Sequence, residues 1–180
     1  MQQRVFIAGI TRLLYTSHKM EKRFIFIFFI MGSLLVKANY SDSLYHPLAN
    51  AAKEIAAAIK QAKQEKKHVL IQAGGNWCSW CIEFNRFTTT DKQMDSAIHA
   101  DYVVYHLNYS AQNMNYPVFK KYGFAIRFGF PVFLILDGNG YLIHTQNTSY
   151  LEEGKSYNKQ KILEFLRDWR QAALDEKNYL

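Results

Sequence analysis

Cys78 and Cys81 are the only two cysteines in the chain, and they stand three residues apart in the run Trp77-Cys78-Ser79-Trp80-Cys81. An apolar stretch, Val69 to Ala73, precedes them, and a segment able to continue as a helix follows. Two thiols at this spacing can close a small ring that opens and shuts by thiol-disulfide exchange. If Cys78 caps the helix and Cys81 lies one turn inside it, the Cys78 sulfur faces free backbone N–H groups and the positive end of the helix dipole. Both favour the thiolate, which is the attacking species. Cys81 is then placed to attack a mixed disulfide and release the partner.

Two other uses of the pair compete with this one. Half a zinc site would need four ligands, so His99 or His106 would have to complete it, and neither has a partner at ligand spacing. A purely structural disulfide would close so short a loop that it restrains the unfolded chain little.

The elements that must hold the pair belong to a chain of 180 residues, 49% hydrophobic and rich in aromatics, with 13 Phe and 12 Tyr. That suffices for one well-cored domain. The formal charge of +7 is unevenly spread. Before Asn39 stand Arg4, Arg12, Lys19, Lys22, Arg23 and Lys37 against Glu21 alone, and the body of the chain carries only +2. A pI near 9.3 therefore gives little support to nucleic-acid binding.

The basic front is explained by export. Lys22 and Arg23 precede the apolar run Phe24 to Val36, and Val36-Lys37-Ala38 offers small residues at the cleavage-determining positions, so a signal peptide cut after Ala38 is expected. A spanning helix wants about 20 apolar residues, which makes a retained anchor the weaker alternative. Met20 stands where such a signal normally begins, and residues 1–19 read as an upstream start. The expected organisation is residues 1–38 as upstream residues and signal, and 39–180 as one soluble domain, periplasmic or secreted. Asn108-Tyr109-Ser110 and Asn147-Thr148-Ser149 match the glycosylation pattern, which matters only in a eukaryotic secretory route. Lys177-Asn178-Tyr179-Leu180 is not a retrieval signal. A bacterial periplasm is the favoured compartment, where disulfides persist.

Elements alternate along the body. Pro47 suits a first helical turn, with Leu48, Ala52, Ile55, Ile59 and Ala62 on one face. A strand follows over 68–73, then Gly74-Gly75-Asn76 turns the chain into the cysteine motif. The motif helix ends near Thr88-Thr89-Thr90, whose branched side chains are poor helix formers, and Asp91 caps a second short helix toward His99. Residues 102–107 read as a strand, with His106 an ordinary strand residue. Polar residues from Ser110 lead to a short helix ending near Tyr122. Val132 to Leu136, the turn Asp137-Gly138-Asn139-Gly140 and Tyr141 to Thr145 read as a hairpin. A last helix is expected over 158–175, with Ile162, Phe165, Leu166, Trp169, Ala172 and Ala173 as its apolar face.

This order, with its Trp-Cys-x-x-Cys helix and a strand opened by Gly129-Phe130-Pro131, resembles the thioredoxin-like superfamily across 39–180. The resemblance implies an α/β thioredoxin fold, a central mixed β-sheet flanked by α-helices. It is nearest to exported proteins related to the electron-delivering domains of bacterial disulfide-transfer systems. It implies that Pro131 is cis and faces the cysteines, with the Phe130 backbone offered to an extended partner chain.

Two departures from the family pattern stand out. Gln72 lies where thioredoxins carry a buried aspartate that helps deprotonate the second cysteine, and Gln72 cannot act as a base. Glu83 is the nearest carboxylate in sequence, a candidate for proton transfer, although a solvated helix carboxylate is the plainer reading. Ser79-Trp80 between the cysteines brings no histidine beside the thiolate, which favours a reductant over an oxidant. Trp80 and Trp77 are candidates for an aromatic wall at the partner groove.

The expected function is an exported thiol-disulfide oxidoreductase that reduces protein disulfides. Cys78 and Cys81 are catalytic, and Trp77, Trp80, Phe130 and Pro131 bind the partner. No cofactor or metal is expected beyond the cysteine pair. The expected partners are protein thiols and disulfides, with a membrane electron donor. Isomerase or oxidase action at the same site, a non-redox protein-binding module and a metal-handling protein are the alternatives.

Overall fold

The structure, a computed structural model, describes residues 43–180. The expected signal segment and its cleavage point lie outside these residues.

Helix α1 (Ala51–Glu65) opens where the Asn50 side chain accepts from the Lys53 N–H at 3.0 Å, an N-cap that satisfies an otherwise orphaned donor. This cap corrects the expected start at Pro47. It rotates the helix so that Ala51, Ile55, Ala58 and Ala62 are buried, while Leu48 is 95% exposed and Ala52 is exposed. Three alanines on the inner face let α1 lie close to the sheet.

Strand β1 (His68–Gly74) is buried along its whole length. It pairs in parallel with β2 (Tyr102–Asn108) and antiparallel with β3 (Val132–Leu136), and β3 pairs antiparallel with β4 (Leu142–Asn147), giving the order β2-β1-β3-β4. The parallel pair is joined by α2 (Ser79–Thr90) and α3 (Lys92–Asp101), as a parallel connection requires. Asp91 caps α3, its carboxylate accepting from the Gln93 and Met94 N–H groups.

Alternation along β1 divides the core into two layers. Val69, Ile71 and Ala73 pack with α1, Leu107, Leu134 and Phe119, the last from the short helix α4 (Tyr116–Lys121). Leu70 packs on the opposite face with Phe84, Met94, Ile98, Phe133 and residues of α5 (Lys159–Trp169). Cover on both faces explains why β1 reads as a continuous apolar run rather than an alternating one.

Helix α5 stops at Trp169, six residues short of the expected end. The Trp169 carbonyl is taken by His68 Nδ1 at 2.8 Å, and Arg170 leaves helical backbone with φ −69 and ψ 157. Trp169 does pack, as expected: it is half-buried against the core and its ring stacks on His144 at 4.0 Å between centroids. Ala172 falls in a 3-10 turn, Gln171–Leu174, and is exposed, so it is not part of the apolar face. A two-stranded hairpin, β5 (Glu152–Glu153) and β6 (Ser156–Tyr157), has no counterpart in the sequence reading. Its strands are too short to show a period, and its turn uses Gly154 at φ 62.

Candidate active site

The β1 strand delivers the chain to the cysteines and ends there because the next residues must turn. Gly74 and Gly75 are both buried. A Cβ on Gly75 would lie 2.4 Å from the Trp77 indole nitrogen and 2.6 Å from the Tyr109 carbonyl, so only glycine permits this close approach. The Cys78 N–H donates to the Gly75 carbonyl at 3.0 Å, and Cys78 becomes the N-cap of α2.

In that position the Cys78 sulfur accepts from the Cys81 N–H at 3.1 Å. Cys78 and Cys81 are joined as a disulfide, with their Cα atoms 5.2 Å apart. Cys78 retains 5% exposure and Cys81 none, so a partner reaches Cys78 first. A sulfur that already accepts a backbone N–H at a helix start is held where negative charge is favoured.

Beside the pair runs the Phe130–Pro131 peptide, which is cis, as the resemblance implies. Pro131 is buried, and its carbonyl accepts from the Thr148 hydroxyl at 2.6 Å. Phe130 is half-buried and packs against the cluster formed by Tyr45, Cys78 and Cys81. Trp77 meets the Phe130 ring edge-on at 5.6 Å, and Tyr109 lies 4.8 Å from the same ring. The Trp77 indole N–H donates to the Tyr109 carbonyl at 2.7 Å while the residue remains 59% exposed. Trp77, Phe130 and Pro131 are therefore brought together on one side of the disulfide.

Trp80 packs against the same Tyr45, Cys78 and Cys81 cluster as Phe130, but its ring partner is Tyr157, not Trp77 or Phe130. Its ring meets Tyr157 edge-on at 5.4 Å, and its carbonyl accepts from the Tyr157 hydroxyl at 3.1 Å. Position in the helix explains the split: Trp77 precedes the cap, whereas Trp80 already follows the α2 rotation toward the β5–β6 hairpin.

Glu83 also turns to that hairpin. Its carboxylate accepts from Arg86 Nε and Nη2 at 2.8 and 2.7 Å, and from the Ser156 hydroxyl at 2.6 Å. The Arg86 guanidinium first, and then Ser156, hold the carboxyl down at about 2. A group kept ionised by three donors suits a tie between helix and hairpin rather than the relay of protons near neutral pH.

Gln72 is 2% exposed beneath the pair. Its amide nitrogen donates to the Tyr45 hydroxyl and to the Cys81 carbonyl, both at 2.9 Å, so it fastens the active helix to the sheet. Tyr45 is fully buried. The Asn76 side chain grips its backbone, accepting from the Tyr45 N–H at 3.0 Å and donating to its carbonyl at 2.8 Å. Sequence reasoning passed over Tyr45, because a lone tyrosine in a polar lead carries no periodic signal, and gave Asn76 only a place in the turn.

His106 is half-buried, with its ring 5.6 Å from that of Tyr45 in an edge contact. Burial, and then His46, lower its ionisation to about 4. His99 sits on the exposed last turn of α3 beside Asp95. Among the described residues, no three His, Cys, Asp or Glu side chains gather as metal ligands would. Asn108 of the first glycosylation pattern is 2% exposed and donates to Ser110 and to the Asn113 carbonyl, so the folded chain keeps it out of reach. Asn147 caps a 3-10 turn by accepting from the Ser149 N–H.

Residues 50–138 match the thioredoxin-like family model. A disulphide isomerase from Xylella fastidiosa Temecula1 superposes with a TM-score of 0.63 at 20% identity, covering 71% of this chain and 96% of that one. The C-terminal domain of DsbD from Neisseria meningitidis, in its oxidised form, superposes with a TM-score of 0.50 at 20% identity, covering 68% of this chain and 97% of that domain. No curated protein matches the chain. With a mixed four-stranded sheet, a Cys-x-x-Cys pair opening the helix after its central strand and the family match over that region, the chain belongs to the thioredoxin-like superfamily.

Proposed function

We propose that the chain is an exported thiol-disulfide oxidoreductase that reduces disulfides in protein partners. One observation carries the reading: Cys78, the cysteine with residual exposure, holds its sulfur at the helix start against the Cys81 N–H.

In the reduced protein the Cys78 thiolate attacks one sulfur of the partner disulfide. A Cys78–partner disulfide forms, and the other partner sulfur leaves as a thiolate. Cys81 then loses its proton to the released thiolate and attacks Cys78, expelling the second partner sulfur. Two electrons pass from the pair to the partner. The cysteines are themselves the redox centre, so no organic cofactor or metal is needed, and an upstream dithiol, expected in a membrane protein, restores them. Phe130 and Pro131 hold the partner backbone, and Trp77 covers its side chains. The absence of histidine between the cysteines supports reduction as the direction.

Equilibration of the pair with glutathione tests this. A potential near about −270 mV is the expected result, and one near about −120 mV would instead mark an oxidant. Cys81→Ser is expected to trap a Cys78–partner mixed disulfide, and Cys78→Ser to abolish turnover. Activity that survives Cys78→Ser would overturn the redox reading in favour of a binding module.

A further inference from the structure

Gln72, buried beneath the pair, cannot act as a base, yet Cys81 is fully buried and must become a thiolate to resolve a mixed disulfide. The group closest to meeting that need lies outside the motif. Tyr45, Cys78 and Cys81 form one buried cluster. A methyl group placed on Gly74 would sit 2.4 Å from the Cys81 sulfur and 2.8 Å from the Tyr45 hydroxyl. The sulfur and the hydroxyl therefore both close over the Gly74 Cα, an approach that is possible only because Gly74 has no side chain.

The direction of the hydroxyl proton follows from its neighbours. Gln72 donates to the Tyr45 oxygen, so that contact consumes a lone pair and leaves the O–H free to donate elsewhere. The second amide hydrogen of Gln72 serves the Cys81 carbonyl, which fixes the backbone of the same cysteine. Asn76 clamps the Tyr45 backbone from both sides. Burial raises the phenol well above its ordinary value, so the hydroxyl keeps its proton and acts as a donor, not as a base. The other titratable groups that act on it are His106 of β2, in edge contact, and Tyr157 of β6.

We propose that the Tyr45 hydroxyl is the buried hydrogen-bond donor to the resolving sulfur, stabilising the Cys81 thiolate during the second exchange step. The inference rests on the redox reading given above. The step remains balanced: the Cys81 proton goes to the partner thiolate released in the first exchange, the Cys81–Cys78 bond forms, and the Cys78–partner bond breaks. Tyr45 lends a hydrogen bond and transfers nothing.

Stopped-flow mixing of the reduced protein with Ellman's reagent tests this, since it reads two releases of thionitrobenzoate, the first from attack by Cys78 and the second from resolution by Cys81. Tyr45→Phe is expected to leave the first release unchanged and to slow the second about tenfold, as loss of one hydrogen bond to a charged sulfur implies. The pH midpoint of the second phase should rise. Site-specific 3-fluorotyrosine at position 45 keeps the ring and sharpens the donor, and it should lower that midpoint. Should Tyr45→Phe prove too loosely folded, the fluorinated protein decides alone. An unchanged second phase, an equal slowing of both phases, or a fluorotyrosine midpoint that does not fall would overturn the proposal. A wild-type protein that shows no second release at any pH removes the redox reading itself, a failure distinct from a Tyr45 variant behaving as wild type.

Discussion

Asn76 and Tyr45 are joined by a reciprocal pair of hydrogen bonds, side-chain amide to backbone N–H and carbonyl, at 3.0 and 2.8 Å across 31 positions of sequence. The turn before the cysteines thus holds the lead segment of the domain against the site. Asn76→Ala removes both bonds and leaves two backbone groups of a buried residue without these partners. A cost of about 1–2 kcal/mol is expected, measured as a lower denaturant midpoint at an unchanged slope. No change in midpoint would mean that packing alone seats Tyr45.

Gly74 has the opposite exposure to risk. Alanine normally favours a strand over glycine, but here its methyl would lie 2.4 Å from the Cys81 sulfur and 2.8 Å from the Tyr45 oxygen. Overpacking of this kind costs about 1–3 kcal/mol. Gly74→Ala should therefore melt at a lower temperature than the wild type, and a stabilised variant would show that helix α2 can move aside.

On the proposed function, partner binding and chemistry should separate at Trp77. The residue is 59% exposed and is fixed by its bond to the Tyr109 carbonyl. Trp77→Ala should raise KM for a protein disulfide about fivefold, the equivalent of about 1 kcal/mol. Reaction with a small disulfide should be unaffected. Equal losses with both substrates would place Trp77 in support of the cysteines, not of the partner.

His106 sets an acid limit on stability. Its folded ionisation lies near 4, below the ordinary value of 6.5, because burial and then His46 disfavour the charged form. A depressed folded value means that the unfolded chain binds the proton more tightly. The contribution is present above about pH 6.5 and is lost as pH falls toward 4, on the order of 2–3 kcal/mol. Stability curves of wild type and His106→Phe should converge in relative terms over this window, the variant losing less. Parallel curves would count against a neutral, half-buried His106.

Glu83 titrates lower. Its carboxyl is held at about 2 by Arg86 and Ser156, so the tie to the β5–β6 hairpin is complete above about pH 4.5 and is lost as pH falls through 2. Protection of the Ser156 and Tyr157 amides, measured relative to the intrinsic exchange rate at each pH, should fall over that range in the wild type and stay level in Glu83→Gln.

The motifs were legible because their signals are local. A Cys-x-x-Cys pair behind an apolar run, a proline opening a strand and an Asp-Gly turn each constrain a few neighbouring residues, and together they specified the fold and the reactive pair. Cap residues were half legible. Asp91 was read as a cap, but the start of α1 was read from Pro47 without regard to Asn50, which left the exposed Leu48 and Ala52 on the expected apolar face. The end of α5 was not legible, since His68, 101 positions away, takes the Trp169 carbonyl.

What the sequence determined by itself is the chemistry available: two sulfurs at one helix start, and an uncharged Gln72 in the strand that leads to them. What the tertiary structure alone decided is which groups surround those sulfurs. It separated Trp80 from Trp77, turned Glu83 toward Ser156 and brought Tyr45 over Gly74 beside Cys81. These are contacts between residues far apart in the chain, and they follow from the packing of layers rather than from any spacing a sequence can display.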